Sequence, residues 1–199
     1  RRLASVAVGL AGLLAGPALA APEAVYIVRG DHLLRETASR GHVQTLTRQV
    51  DGTVEVRVST PLTPVGSTGF FPGVGVGPPA EVPDGFRLPG ELAARLRPPQ
   101  LQWEAATRVQ EWVVHHVRID QEDGHPQDAA SVLARGRGRC SGLANAAVAL
   151  LMAAGLEART VSGVLVTRDG PVPHRWLECR LAGAGWVPSD PTLGLWVVT

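Results

Sequence analysis

Gly136-Arg137-Gly138-Arg139-Cys140-Ser141-Gly142-Leu143-Ala144-Asn145-Ala146-Ala147-Val148-Ala149-Leu150-Leu151-Met152-Ala153-Ala154-Gly155 decides how this chain reads. A loop of alternating glycine and arginine gives way at Cys140 to a run that is apolar nearly all round. Such a run predicts a helix over Cys140 to Ala154, buried on most sides, with Gly155 as its C-terminal stop. Past the first turn its one strongly polar side chain is Asn145. The cysteine therefore heads a core helix. Helix starts and nearby cations favour the thiolate form of a cysteine, the form that attacks acyl carbons.

Downstream of this helix the sequence predicts strands at Ala158 to Thr167, Pro173 to Leu181 and Trp186 to Ser189. Asp169-Gly170 and Gly183-Ala184-Gly185 supply the turns. The second strand carries His174 and the third leads into Asp190. If Leu181 to Gly185 is a five-residue connection, residue 176 opposes residue 190. His174 and Asp190 then lie diagonally on one face, within about 8 Å backbone to backbone. A four-residue connection puts them on opposite faces, so the reading requires the odd loop or a bulge at Pro188. Upstream, Leu101 to Arg118 reads as a helix with Ala105, Val109, Trp112, Val113, His116 and Val117 on one stripe, and Asp128 to Ala134 adds a short helical turn. Helices followed by an antiparallel sheet predict an α+β fold.

These residues resemble the core of the transglutaminase-like superfamily. The resemblance rests on Gly136-Arg137-Gly138-Arg139-Cys140-Ser141-Gly142, the Ala-Leu helix ending in Ala154-Gly155-Leu156-Glu157-Ala158-Arg159, the strand His174-x-Trp176-x-Glu178, and Gly185-Trp186-Val187-Pro188-Ser189-Asp190-Pro191-Thr192. It covers about the last hundred residues. It implies a papain-like arrangement in which a cysteine-bearing helix packs on an antiparallel sheet, with the family's triad carried over onto Cys140, His174 and Asp190. Implied activities are transfer of glutamine acyl groups to amines, peptide-bond cleavage and deamidation, through a thioester and without metal or organic cofactor. Some members of the superfamily have lost catalysis, so a silent scaffold domain of the cell envelope is the competing reading. The resemblance supplies the Cys140 N–H as one oxyanion donor but no side-chain donor; the helix bearing Trp103 and Trp112 and the segment at Gln127 are candidate sources.

Arg1-Arg2, the apolar run Leu3 to Ala15, the Gly16-Pro17 break and Ala18-Leu19-Ala20 have the three regions of a secretory signal with a small-residue cleavage site. The expected organisation is a signal peptide at 1–20, a small β-module at 21–60, a Pro/Gly-rich linker or wrapping arm at 61–99 and a catalytic core at 100–199. Within the β-module, Val43 to Val50 and Thr53 to Thr60 alternate polar and apolar residues around Asp51-Gly52, a two-residue hairpin signal. Export predicts a periplasmic or extracellular location, with no stable membrane insertion after cleavage; the alternative is an uncleaved segment that anchors the protein to the membrane. The missing initiator methionine places the true start upstream, and a core ending nine residues after Asp190 is short for a complete domain.

A net charge of +1 provides no long-range field for nucleic acid. The expected partner is a protein or peptide substrate; the sequence is silent on oligomeric state. An oxidising compartment raises a Cys140–Cys179 disulfide as a rival to catalysis, but the five-residue step from His174 to Cys179 turns the two to opposite faces of a regular strand. His115 and His116 read as helix residues, with His116 packed on the apolar stripe, and His32, His42 and His125 have no second ligand at metal spacing. Arg135, Arg137 and Arg139 read equally as cations serving the thiol or an acidic substrate and as a solvated loop. Trp176 and Trp186 read as core residues in preference to site walls, and Glu178 as a hydrogen-bonded scaffold.

Overall fold

The alternation of Thr and Val from His42 to Ser59 closes on itself as a hairpin. A computed structural model describes residues 6–8, 23–29, 36–39, 42–59, 69–73 and 86–196. It divides into one unit of Arg1–Pro64 with Val166–Pro171, and a second of Val65–Leu165 with Val172–Val198. In the first unit β1 (Val6–Val8), β2 (Glu23–Val28), β3 (Thr37–Ser39), β4 (His42–Arg48) and β5 (Val54–Ser59) form an antiparallel sheet in the order β1-β2-β5-β4-β3.

Arg48 pairs with Val54, so the connection is longer than the two residues expected from Asp51-Gly52. Gly52 N–H donates to Gln49 C=O at 3.1 Å, Gln49 N–H donates to Thr53 C=O at 2.8 Å, and Gly52 has φ +79°. That is a β-turn followed by a left-handed glycine, the usual three-residue hairpin solution. Asp51 Oδ1 accepts from the Thr53 hydroxyl at 2.6 Å and its N–H at 3.0 Å, which lowers the carboxyl's pKa. Val6–Val8, inside the stretch expected to be a leader, pairs with Val28–Tyr26; the rest of residues 1–20 and His32 lie outside the described residues.

The second unit begins with β6 (Phe70–Phe71), α1 (Gly90–Leu96), β7 (Gln100–Leu101), α2 (Gln102–His116) and β8 (Arg118–Ile119). It continues through α3 (Ala129–Arg135), β9 (Arg137–Gly138), α4 (Cys140–Ala153), β10 (Ala158–Thr167), β11 (Gly170–Leu181), β12 (Gly185–Asp190) and β13 (Leu195–Trp196). Helix α1 corrects the expectation of an irregular arm through residue 99. Between Pro89, which stands at its N-cap, and Pro98, the residues Glu91 to Leu96 carry Leu92 and Leu96 one turn apart, and both are fully buried. Prolines outside a short helix bound it without breaking it. Residues 60–68 and 74–85 of the expected arm lie outside the described residues.

Helix α4 lies against α2 and α3. One hydrophobic cluster joins Leu143, Leu150 and Leu151 of α4 with Val109 and Val113 of α2 and with Leu177, Cys179, Leu181 and Val187 of the sheet. Each such side chain contributes roughly 1.5–3 kcal/mol on burial, and Leu150→Ala would cost about 2–5 kcal/mol. The helix stops as expected: Gly155 takes φ +90°, its N–H donates to Met152 C=O at 2.9 Å, and Leu156 N–H donates to Leu151 C=O at 2.9 Å, the Schellman pattern.

The sheet runs β10-β11-β12-β13. Leu181 pairs with Gly185 and Leu177 with Ser189, so the register sets Trp176 opposite Asp190, as the odd connection requires. No bulge at Pro188 is needed, because Pro188 pairs in register with Glu178. Gly183 and Gly185, at φ +78° and +75°, make the turn, and Ala184 N–H donates to Leu181 C=O at 3.1 Å.

Candidate active site

Cys140 is the first residue of α4, and its half-buried thiol is free. The N-cap, Arg139, makes no side-chain cap hydrogen bond, and the helix's first bond runs from Leu143 N–H to Arg139 C=O at 3.0 Å. The N–H groups of Cys140, Ser141 and Gly142 thus have no acceptor within the helix. Donors unspent beside a nucleophile suit an oxyanion that forms when the nucleophile adds to a carbonyl.

His174 on β11 and Asp190 at the end of β12 meet directly. The His174 Nε2 to Asp190 Oδ2 distance is 2.5 Å, with the two side chains only 6% and 1% exposed. Asp190 Oδ1 accepts the Thr192 N–H at 2.8 Å, so both carboxylate oxygens are engaged. Gln110, buried on α2, donates from Nε2 to Leu195 C=O at 3.0 Å and reaches Asp190 C=O at 3.5 Å, fixing the end of the strand from the helical side. With Nε2 committed to the carboxylate, Nδ1 is the ring nitrogen that remains for another group. Of the three predicted site residues, the fold brings His174 and Asp190 into contact and puts Cys140 at the head of α4; among the described residues no hydrogen bond joins the thiol to His174.

The rival disulfide is absent: both cysteines are free, and Cys179 is fully buried in the core cluster beside Leu177 and Leu181. Burial pushes its thiol up to about 12. His174 and Glu178 share a strand parity, which is opposite to that of Cys179. Glu178 takes the scaffold role, accepting from Arg159 Nη2 at 2.7 Å and Nε at 2.8 Å, while the Arg159 guanidinium lies 4.2 Å over the Trp186 ring. Trp176 stands 6.3 Å from the His174 ring, and a Cβ added at Gly163 would meet its ring at 2.5 Å. Neither Trp176 nor Trp186 enters the core cluster, which corrects the core reading of both. His116 is likewise exposed instead of packed in the stripe, because its ring stacks flat on Trp112 at 4.1 Å at the helix's edge.

The oxyanion candidates fare differently from expectation. Gln127 has no donor to spare, since Nε2 donates to His125 C=O at 2.8 Å and to Asp123 Oδ2 at 3.1 Å. Trp103 packs on Trp196 with ring centroids 5.1 Å apart. Trp112 Nε1 is buried without a partner, and no hydrogen bond ties either tryptophan to Cys140.

Sequence reasoning missed the loop before α3. Asp123, its side chain fully buried, accepts from His125 Nδ1 at 2.6 Å, Arg135 Nη2 at 3.0 Å and Gln127. These donors, His125 foremost, hold its carboxyl well below the usual carboxylate range. Arg135 also donates to Pro126 C=O at 2.8 Å, so it is a structural cation and not part of a solvated loop. Asp128 caps α3 by accepting the Ser131 N–H at 2.9 Å. The only advance signal was the density of Asp, His and Gln between Asp120 and Asp128 in a stretch without periodicity.

A family model described as transglutaminase-like superfamily matches residues 90–191, just over half of the chain. Among solved structures, the periplasmic domain of TgpA from Pseudomonas aeruginosa is similar at 15% identity and TM-score 0.52, covering 87% of this chain and 70% of that one. A putative cysteine protease from Cytophaga hutchinsonii aligns at 13% identity and TM-score 0.41, covering 95% and 71%. No curated protein matches the chain. Among the described residues no helix is long and apolar enough to cross a membrane.

Proposed function

Because the chain belongs to the transglutaminase-like superfamily, we propose that it is an exported cysteine enzyme that acts on glutamine side-chain or peptide amides through a thioester. The observation that carries this reading is the buried His174–Asp190 contact at 2.5 Å, in a fold that sets a free cysteine at the uncapped start of its core helix. A buried carboxylate bonded to Nε2 fixes the imidazole's tautomer and stabilises its protonated form.

In the proposed reaction the Cys140 thiol passes its proton to His174 as its sulfur attacks the amide carbon, and the carbonyl oxygen develops negative charge toward the unspent N–H groups of Cys140 and Ser141. His174 then gives its proton to the departing nitrogen, which leaves as ammonia or as a new amino terminus. Water or an amine attacks the thioester carbon while His174 takes the attacking group's proton, and the thiol is regenerated. This sequence requires no cofactor. The substrate class is a protein or peptide. Export rests on the Arg1 to Ala20 pattern, and the exported protein should begin at Ala21.

Incubation with a glutamine-containing peptide and a labelled amine tests the reading. Turnover should appear as incorporated label, released ammonia or new termini, and Cys140→Ala should abolish it. Incorporated label identifies transfer; ammonia or new termini released without incorporated label identify hydrolysis. Because Cys179 is buried, slow labelling of that thiol says little about Cys140; the informative control is His174→Ala, which should slow alkylation of Cys140 by iodoacetamide. An unchanged rate in that variant, together with no turnover, would favour the silent scaffold.

A further inference from the structure

Asn145 is an anomaly in an otherwise apolar helix, and what it holds explains why it is there. Its Nδ2 donates to the backbone carbonyl of Gln127 at 2.7 Å. The Gln127 side chain is held at its other end by Asp123 and the His125 carbonyl, and its Oε1 accepts the N–H of Arg139, the residue before Cys140, at 2.7 Å. The amide is seated where two glycines leave room. A Cβ at Gly142 would stand 2.4 Å from Gln127 Oε1, and one at Gly138 would stand 3.0 Å from it. One amide is therefore bonded to the peptide beside the nucleophile and packed against the glycines two residues to either side of it.

We propose that Gln127 is the positioning residue of the nucleophile. It anchors the N-cap peptide of α4 at the Arg139 N–H and leaves the N–H groups of Cys140 and Ser141 free. A Ser, Thr or Asp cap at position 139 would fix the same turn only by accepting one of the next N–H groups, removing a donor from beside the sulfur. Asp123, Arg135 and Asn145 keep the Gln127 amide in one orientation, so the loop from Asp120 to Asp128 acts on the thiol through a single side chain. The inference rests on the reading of Cys140 as nucleophile.

Gln127→Met keeps length and packing and removes every amide hydrogen bond; Gly142→Ala keeps the amide and displaces it. In the full chain, each should lower the rate of Cys140 alkylation at pH 7 by about ten- to a hundredfold, the penalty of a nucleophile misplaced by about an ångström. Each should also reduce the ratio of the rates at pH 6 and pH 9, and lower kcat per folded molecule with KM little changed; loss of folded protein alone would lower the apparent kcat without slowing alkylation in the folded fraction. Thermal melting establishes that the variants are folded, and Gly142→Ala carries the test if Gln127→Met is not. If folded variants alkylate at the wild-type rate while His174→Ala still slows the reaction, the positioning role is wrong and the nucleophile stands. If His174→Ala has no effect either, the nucleophile reading fails and takes this one with it.

Discussion

Two aspartate–histidine contacts of nearly equal length, 2.5 Å for Asp190–His174 and 2.6 Å for Asp123–His125, sit in the same unit and do different work. Both carboxylates are buried. The histidines differ: His174 is 6% exposed at its side chain and bonds through Nε2 from a neighbouring strand, whereas His125 is 58% exposed and bonds through Nδ1 from two residues along the same loop. Asp123 also takes Arg135 and Gln127, and so has a permanent cation beside it whatever His125 does. Asp190 has only a backbone N–H and an imidazole. A buried carboxylate whose sole side-chain partner is a histidine can stabilise a charge that comes and goes; one already paired with arginine is a fixture. Short distances alone do not separate the two roles, and the number of other donors on the carboxylate does.

Asp190→Asn attacks the first pair and should have the largest effect, a fall in kcat of about 10³–10⁴, as expected when an imidazole loses its tautomer control, with thermal melting little changed. Asp123→Asn should invert that balance. Melting temperature should fall further than in Asp190→Asn, because Arg135 is left half-buried without its counter-ion, while activity falls only about tenfold through the loosened Gln127 amide. Acid titration sharpens the contrast. The Asp123 carboxyl is depressed in the fold, so its stabilisation is present above the ordinary carboxylate value of about 4 and is lost as pH falls below it. Melting curves of the wild type should therefore decline more steeply below about pH 4 than those of Asp123→Asn. His125→Ala should have the smallest effect, less than about a twofold change in activity, since its ring is exposed and Arg135 remains on the carboxylate. A large loss of activity in this last variant would break the distinction between the pairs.

Much of this arrangement was legible because it follows periodic rules. Strand β10 runs over the expected Ala158–Thr167, α4 occupies all but the last residue of its expected span, and the parity of the Leu181–Gly185 connection sets Trp176 across from Asp190. The alternation of strands and the composition of a buried helix are local properties that survive in one dimension. What escaped is not periodic. The Asp120–Asp128 loop is built from side chains that satisfy one another across gaps of two to twelve residues, and nothing in their order says which carboxylate receives which donor. Helix α1 was hidden by the prolines around it, although a seven-residue helix needs only two leucines one turn apart to earn its place in the core. His116 was assigned to the apolar stripe by spacing alone, while a stacking partner on the same helix, Trp112, draws its ring to the edge.

The turn after β11 limits what the gene can tolerate. Ala182-Gly183-Ala184 is the whole interval between paired residues Leu181 and Gly185. Substitutions at Gly183 or Gly185 impose strain, because both have positive φ, but they leave the count of residues intact. Loss of a single codon is different in kind: re-pairing the strands with an even interval would rotate the carboxylate at position 190 to the sheet's other side, severing it from the imidazole while leaving the cysteine, the histidine and the aspartate all encoded. In this hairpin, length is the more heavily constrained inheritance, and sequence the freer one.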